Sequence, residues 1–328
     1  MRGGWWQGPT RRTAVAGAGA AVMLAAACAV PGAVEAHGPV PPPPTWPDLL
    51  WAWMLDPLPV IGVLVAAIGY GWLARRVRRR HPRNPVPRLR HWAWAGGLLA
   101  IVAALLSPIE TYSGALLTVH MVQHLLLQFV AAPLLLLAAP VTLLLRAVDQ
   151  DSRRRFLVIL HSRLVTVITF PLLTWFLFAA ANWGWHFSEL YDYALEVQWV
   201  HVLQHATLLG AALLFWFPVI GADPGPWRLP HAVRLLYLFL AMPQNSFLGV
   251  AIMNAGVVLY SHYAALARDW GPVPLLDQQA AGTLMWVWGD LTFVLAMLLA
   301  VAAWVRQEER RNARAEARQD ALEAEAGP

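Results

Sequence analysis

The chain has 328 residues, 58% hydrophobic and 13% charged, where a soluble chain carries about a quarter charged residues, so its composition is that of a membrane protein. No lysine occurs, and the pI near 9.9 comes from arginine blocks that flank apolar segments; with no basic face interleaved with stacking aromatics, no nucleic-acid partner is expected. The single cysteine, Cys28, excludes an internal disulfide and a thiolate metal site, leaving His, Met, carboxylate and backbone as metal donors.

Residues 1–36 read as a secretory signal: Arg2, Arg11 and Arg12 give the positive start, "AVAGAGAAVMLAAACAV" the apolar core, and "VEA" ending at Ala36 a small-residue cleavage site. An uncleaved first membrane helix is the alternative, and the "AAAC" ending at Cys28 is a poor lipidation signal. Cleavage after Ala36 leaves His37 as the mature N-terminus, whose amine and imidazole can chelate a metal; a disordered end is the plainer reading. Residues 37–56 then form a proline-rich extracytoplasmic linker.

Seven apolar runs follow, at 57–74, 91–107, 113–139, 164–185, 194–220, 231–260 and 280–305, each near the roughly 20 residues that cross a bilayer. Pro133, Pro171 and Pro243 fall inside them, which membrane helices tolerate. The predicted fold is all-α, a seven-helix membrane domain over 57–305. Arginine sets the orientation. The joints after the first, third and fifth runs, and the tail over 306–328, are arginine-rich, whereas "SPIETYS" and "FSELYDYALE" hold none. Positive-inside places the mature N-terminus outside and the C-terminus in the cytoplasm of a bacterial-type plasma membrane. The charged tail reads as a solvated helical extension. The 18 tryptophans read as interfacial anchors.

Two apolar runs carry the same polar insertion. "HMVQH" supplies His120, Gln123 and His124, and "HVLQH" supplies His201, Gln204 and His205. Residues four apart share one helix face, and both runs are predicted to enter from outside. His120 then lies roughly 10 Å deep and His124 about 6 Å deeper, with His201 and His205 at matching depth. His186 and His262 close the fourth and sixth runs on the same side. Six of the eleven histidines thus converge on one leaflet. Polar groups in lipid must find partners and commonly mark function, so a metal or haem site is expected. Imidazole suits copper, zinc and haem iron alike.

The supporting candidates are weaker. Gln123 and Gln204 either orient a ligand imidazole or bond between helices. Met121 and Met285 are possible thioether ligands or packing. Asp290 is a proton or metal partner, or bonds a neighbouring helix; Glu110 lies near the cluster or caps a helix. No H-E-x-x-H, Walker loop or G-x-S-x-G occurs, and no catalytic residue is assigned.

The segment "SPIETYSGALLTVHMVQHLLLQFVAAPLLLLAAP" resembles the hallmark of the CtaG family of cytochrome c oxidase assembly factors. "WHFSELYDYALEVQWVHVLQHATLLGAALLFW", "MPQNSFLGVAI" and "DQQAAGTLMWVWGDL" fit the same family, and the resemblance covers about residues 50–305. It implies a non-enzymatic polytopic protein that helps build the oxidase, with a proposed part in delivering copper to an oxidase subunit. Carried over by residue, it points to His120, Met121, His124, His201 and His205, with Glu110 and Asp290 at acidic positions. The expected function is transient copper binding at the outer histidine cluster. A b-type cytochrome with bis-histidine haem and a structural scaffold are the alternatives.

Overall fold

The computed structural model describes residues 40–326, and every regular element among them is a helix. The leader, with Cys28, and His37 lie outside the described residues. After a short α1 (Trp46–Trp51), Asp56 caps α2 (Pro57–Arg80) by accepting from the Leu58 N–H at 2.9 Å. Next come α3 (Arg88–Leu105) and α4 (Pro108–Ser113), then α5 (Leu117–Leu125), a π-helical turn (Leu126–Ala131), α6 (Ala132–Leu137) and α7 (Pro140–Ala147). The remainder is α8 (Gln150–Leu160), α9 (Arg163–Ile168), α10 (Pro171–His186), α11 (Leu190–Glu196), α12 (Gln198–Ile220), α13 (His231–Met253), α14 (Ser261–Ala265) and α15 (Pro274–Ala326).

Six of these helical stretches are long and apolar enough to cross a membrane: α2, α3–α4, α5–α7, α12, α13 and the body of α15. Their outward faces carry Ile61, Leu64, Val65, Ile68, Leu295, Leu298 and Leu299, all largely exposed, an apolar surface that suits lipid and not water. The chain is a multi-pass membrane protein. The run expected over 164–185 is not one helix. Pro171 lacks the N–H that would continue the ladder, so the chain breaks at Thr169–Phe170 into α9 and the 16-residue α10. The run from 194 likewise divides at Val197, between α11 and α12, and the last helix continues without a break into the charged tail.

Close packing rests on small residues. A Cβ on Gly282 of α15 would lie 2.6 Å from the Met253 nitrogen and 2.7 Å from the Gly249 carbonyl oxygen of α13. The two helices meet backbone to backbone, as glycine allows in membranes. Two buried aspartates tie distant segments by capping helices. Asp277 of α15 accepts from Leu117 N–H at 2.7 Å and Thr118 N–H at 3.2 Å at the start of α5. Asp223 does the same for Val141 and Thr142 at the start of α7.

The π turn has a local cause. Pro133 cannot donate, and Ala132 N–H reaches back five residues to the Leu127 carbonyl. The Gln128 carbonyl is thereby released, and it accepts from the Trp216 indole N–H of α12 at 3.0 Å. A bulge that would orphan a carbonyl in lipid becomes a bond between helices, one turn below His124.

Candidate metal centre

Four-residue spacing gives α5 one face with His120 and His124, and α12 one with His201 and His205. The two faces meet. All four imidazoles are at least 93% buried, and the ligand nitrogens of His120, His124 and His205 lie within 4.8 Å of one another. Ring centroids are 4.4 Å apart for His120–His124, 5.4 Å for His124–His205 and 6.0 Å for His120–His205. His201 adjoins this triad, 4.2 Å from His205 and 5.5 Å from His120. His186, the last residue of α10, stands 6.2 Å from His124.

Hydrogen bonds fix which nitrogens face inward. The Tyr263 hydroxyl donates its one proton to the Ser113 carbonyl at 2.8 Å, so it accepts from Nδ1–H of His120 at 3.1 Å. Neutral His120 therefore turns its Nε2 lone pair into the cluster, where it accepts from Nε2–H of His124 at 2.9 Å. Nδ1–H of His186 donates to the Asn182 carbonyl at 2.7 Å, which leaves its buried Nε2 as an acceptor with no hydrogen-bond partner. Asn182 is itself held by the Gln128 side chain of the π turn at 3.0 Å. A phenol and a backbone carbonyl thus leave the Nε2 atoms of His120 and His186 as acceptors among the packed imidazoles, an arrangement that suits a shared cation or proton.

The two glutamines differ. Gln123 donates to the Ala104 carbonyl at 2.9 Å and to the Glu110 carboxylate, joining α5 to α3 and α4. It is a bond between helices. Gln204 lies within interaction range of His124 but without an aligned hydrogen bond to it. Glu110 is buried against the cluster, its other oxygen 3.9 Å from Nδ1 of His201.

Other candidates fall around this centre. Nε2 of His262 donates to the Gly114 carbonyl at 3.1 Å, so His262 braces the start of α5 from α14. Met121 and Met285 pack in an apolar cluster with Leu117, Leu248 and Ile252. Asp290 accepts from Ser246 of α13 at 2.7 Å and from Trp286 at 2.9 Å, the neighbouring-helix role.

Three tyrosines belong to the site and were not singled out from the sequence. Tyr263 sets the His120 tautomer. Tyr191 is fully buried with its ring 5.4 Å from His120 and 5.3 Å from His186, and Tyr260 packs on it at 4.3 Å. Burial, then the Tyr263 and Tyr260 hydroxyls, hold the Tyr191 hydroxyl well above the usual phenol range, so it stays neutral. Asp192 brings these rings together by capping α14, accepting from Ser261 N–H at 2.9 Å. The signal was "YDY" beside "LYSHY", aromatic clusters that also read as interfacial anchors.

These features define a polytopic all-helical membrane protein with a histidine cluster buried at one end of its bundle. The family model for the cytochrome c oxidase caa3 assembly factor, Caa3_CtaG, matches residues 68–307, and the chain belongs to that family. Among its relatives are uncharacterized proteins of Mycobacterium bovis and Mycobacterium tuberculosis, each 34% identical over 279 residues, and one of Mycobacterium leprae at 31%. These matches cover 83% of this chain and 42% of each relative, so the chain spans less than half the length of the curated relatives it matches. No solved structure matches.

Proposed function

We propose that the protein binds copper transiently at the His120, His124 and His205 cluster and helps deliver it to a subunit of cytochrome c oxidase during assembly. Copper here is cargo. The observation that carries this reading is the convergence of three buried imidazole nitrogens within 4.8 Å. Two nitrogens on one ion are separated by at most about 4 Å, twice a metal–nitrogen bond of about 2 Å, so small side-chain rotations would close the set. Imidazoles without a thiolate suit copper and leave exchange open. His201 and His186 stand as the next acceptors, and family membership supports the assembly role. No step in this reading makes or breaks a covalent bond, so the protein acts as a non-enzymatic factor.

The reading includes the membrane arrangement. His186 at the end of α10 meets His124, while Thr166 of α9 accepts from Trp227 in the loop after α12, at the far end of the bundle. These two contacts support the α9–α10 pair as a seventh crossing despite its break at Pro171. Arginine at the end opposite the histidines supports a cytoplasmic C-terminus and an outward-facing cluster in the plasma membrane. The leader acts as a signal peptide.

The haem reading is less well supported. Four imidazoles pack ring against ring at 4.2–6.0 Å, and the adjoining cleft is about 160 Å³, where ligands of that size occupy roughly 300 Å³ or more. Metal analysis beside the visible spectrum of the purified protein tests the proposal. Copper without a Soret band is expected; iron with a Soret band would select the cytochrome.

A further inference from the structure

The histidine cluster is buried, so a cargo ion needs a way in. Helix α2 packs against α3 and α7, and on the side that faces α12 a cleft of about 160 Å³ runs into the bundle. Its polar lining is Asp56, Gln198, Glu110, His201 and His205; the rest is aliphatic. The order of burial gives it a direction. Asp56 and Gln198 are half-buried at the ends of their helices, whereas Glu110, His201 and His205 are buried. Asp56 is held at both oxygens, by the Leu58 N–H at 2.9 Å and the Gln198 amide at 3.2 Å. Its carboxylate is thus fixed toward the first residue of α12.

The charge of this cleft is one-sided. No arginine lines it, and Asp56 and Glu110 are within electrostatic range of each other. Two carboxylates that face one low-dielectric volume repel, and a cation passing between them relieves that repulsion. From Glu110 the next polar group is His201, 3.9 Å away, and from His201 the next ring is His205, at 4.2 Å. Each step is short enough for an ion to be handed on.

We propose that the cleft between α2 and α12 is a cation-selective access path, in which Asp56 at the mouth collects the ion and Glu110 passes it to His201 and His205. The identity of its cargo rests on the copper reading above; its charge selectivity does not.

Both parts are tested on the full chain in nanodiscs. Asparagine is as good a helix cap as aspartate, and the Gln198 amide can rotate to meet its NH₂ group, so Asp56→Asn removes charge and spares the fold. In the first arm, copper(II) from a weak glycine buffer should load Asp56→Asn about 10-fold more slowly than wild type, with the same final copper per chain. Glu189→Gln, an exposed carboxylate beyond the cleft lining, should load at the wild-type rate. In the second arm, Val202→Cys is placed in the cleft wall of a Cys28→Ser chain and labelled with methanethiosulfonates of opposite charge. The cationic reagent should react about 10-fold faster than the anionic one, and Asp56→Asn should bring the two rates together. If wild type takes up no copper yet labels with this charge preference, the copper reading fails and the path stands. If wild type takes up copper while Asp56→Asn changes neither loading nor labelling, the path is overturned and the copper reading stands. Equal labelling by both reagents in wild type also overturns the path.

Discussion

Replacing Tyr263 by phenylalanine removes one oxygen and leaves the ring. That oxygen accepts from His120 Nδ1–H at 3.1 Å and donates to the Ser113 carbonyl at 2.8 Å. Its loss strands a buried donor and a buried acceptor, a penalty of about 1–3 kcal/mol for each group that finds no new partner. The larger consequence is chemical. Without the phenol, His120 can take either tautomer and swing its ring, and Nε2 is no longer aimed at His124. Losing a group that orients a ligand imidazole lowers metal affinity about 10–100-fold, or about 1.4–2.8 kcal/mol at 1.4 kcal/mol per decade. Competition titration with a copper chelator of known affinity measures this directly, beside a thermal melt of the same preparations. The account predicts weaker copper binding by at least about 10-fold while the variant still inserts and folds. Copper affinity within about twofold of wild type, well short of that 10-fold, with only the melting temperature lowered, would make Tyr263 a structural brace and refute the tautomer argument.

Four further outcomes rest on the packing and topology. Gly282→Ala places a methyl 2.6 Å from the Met253 nitrogen, so α13 and α15 must separate, at about 1–3 kcal/mol. Gly62→Ala meets nothing within 4 Å and should melt at or slightly above the wild-type temperature. Asp277→Ala uncaps α5 by removing acceptors for Leu117 and Thr118; a loss of about 0.5–2 kcal/mol and a parallel loss of copper are expected, read by thermal melting and metal analysis. Reporter fusions should be active in the cytoplasm at Arg78 and outside at Tyr191; a periplasm-active reporter working at Arg78 would reverse the proposed orientation.

Much of the centre was legible because the α-helix imposes its own arithmetic. H-x-x-Q-H puts both histidines on one face whatever the surroundings, and two such motifs at matching depth have one economical arrangement. What was hidden depends on the rotation of short segments. His262 and Tyr263 are adjacent in the five-residue α14, too short for periodicity to say which faces inward; His262 braces a carbonyl and Tyr263 reaches the site. Asp290 drew attention as a carboxyl within an apolar run. Thirteen residues along α15 put it roughly 20 Å from Asp277, and Asp277, which looks like a joint residue, is the one that anchors α5. Pro171 was visible, but whether a membrane proline kinks a helix or divides it depends on neighbours that local sequence does not specify. The cleft at Asp56 required knowing that the start of α2 meets the start of α12.

The most direct test of the central claim is copper per chain in the purified protein, measured for wild type, His124→Ala, His205→Ala and the double variant. If the two helices build one site, each single change should weaken binding at near-normal membrane abundance. The double change should then fall short of the sum of the singles, because both report on the same ion. Copper content unchanged in both singles, with only abundance reduced, would contradict the account and leave the histidines as a structural seam between α5 and α12.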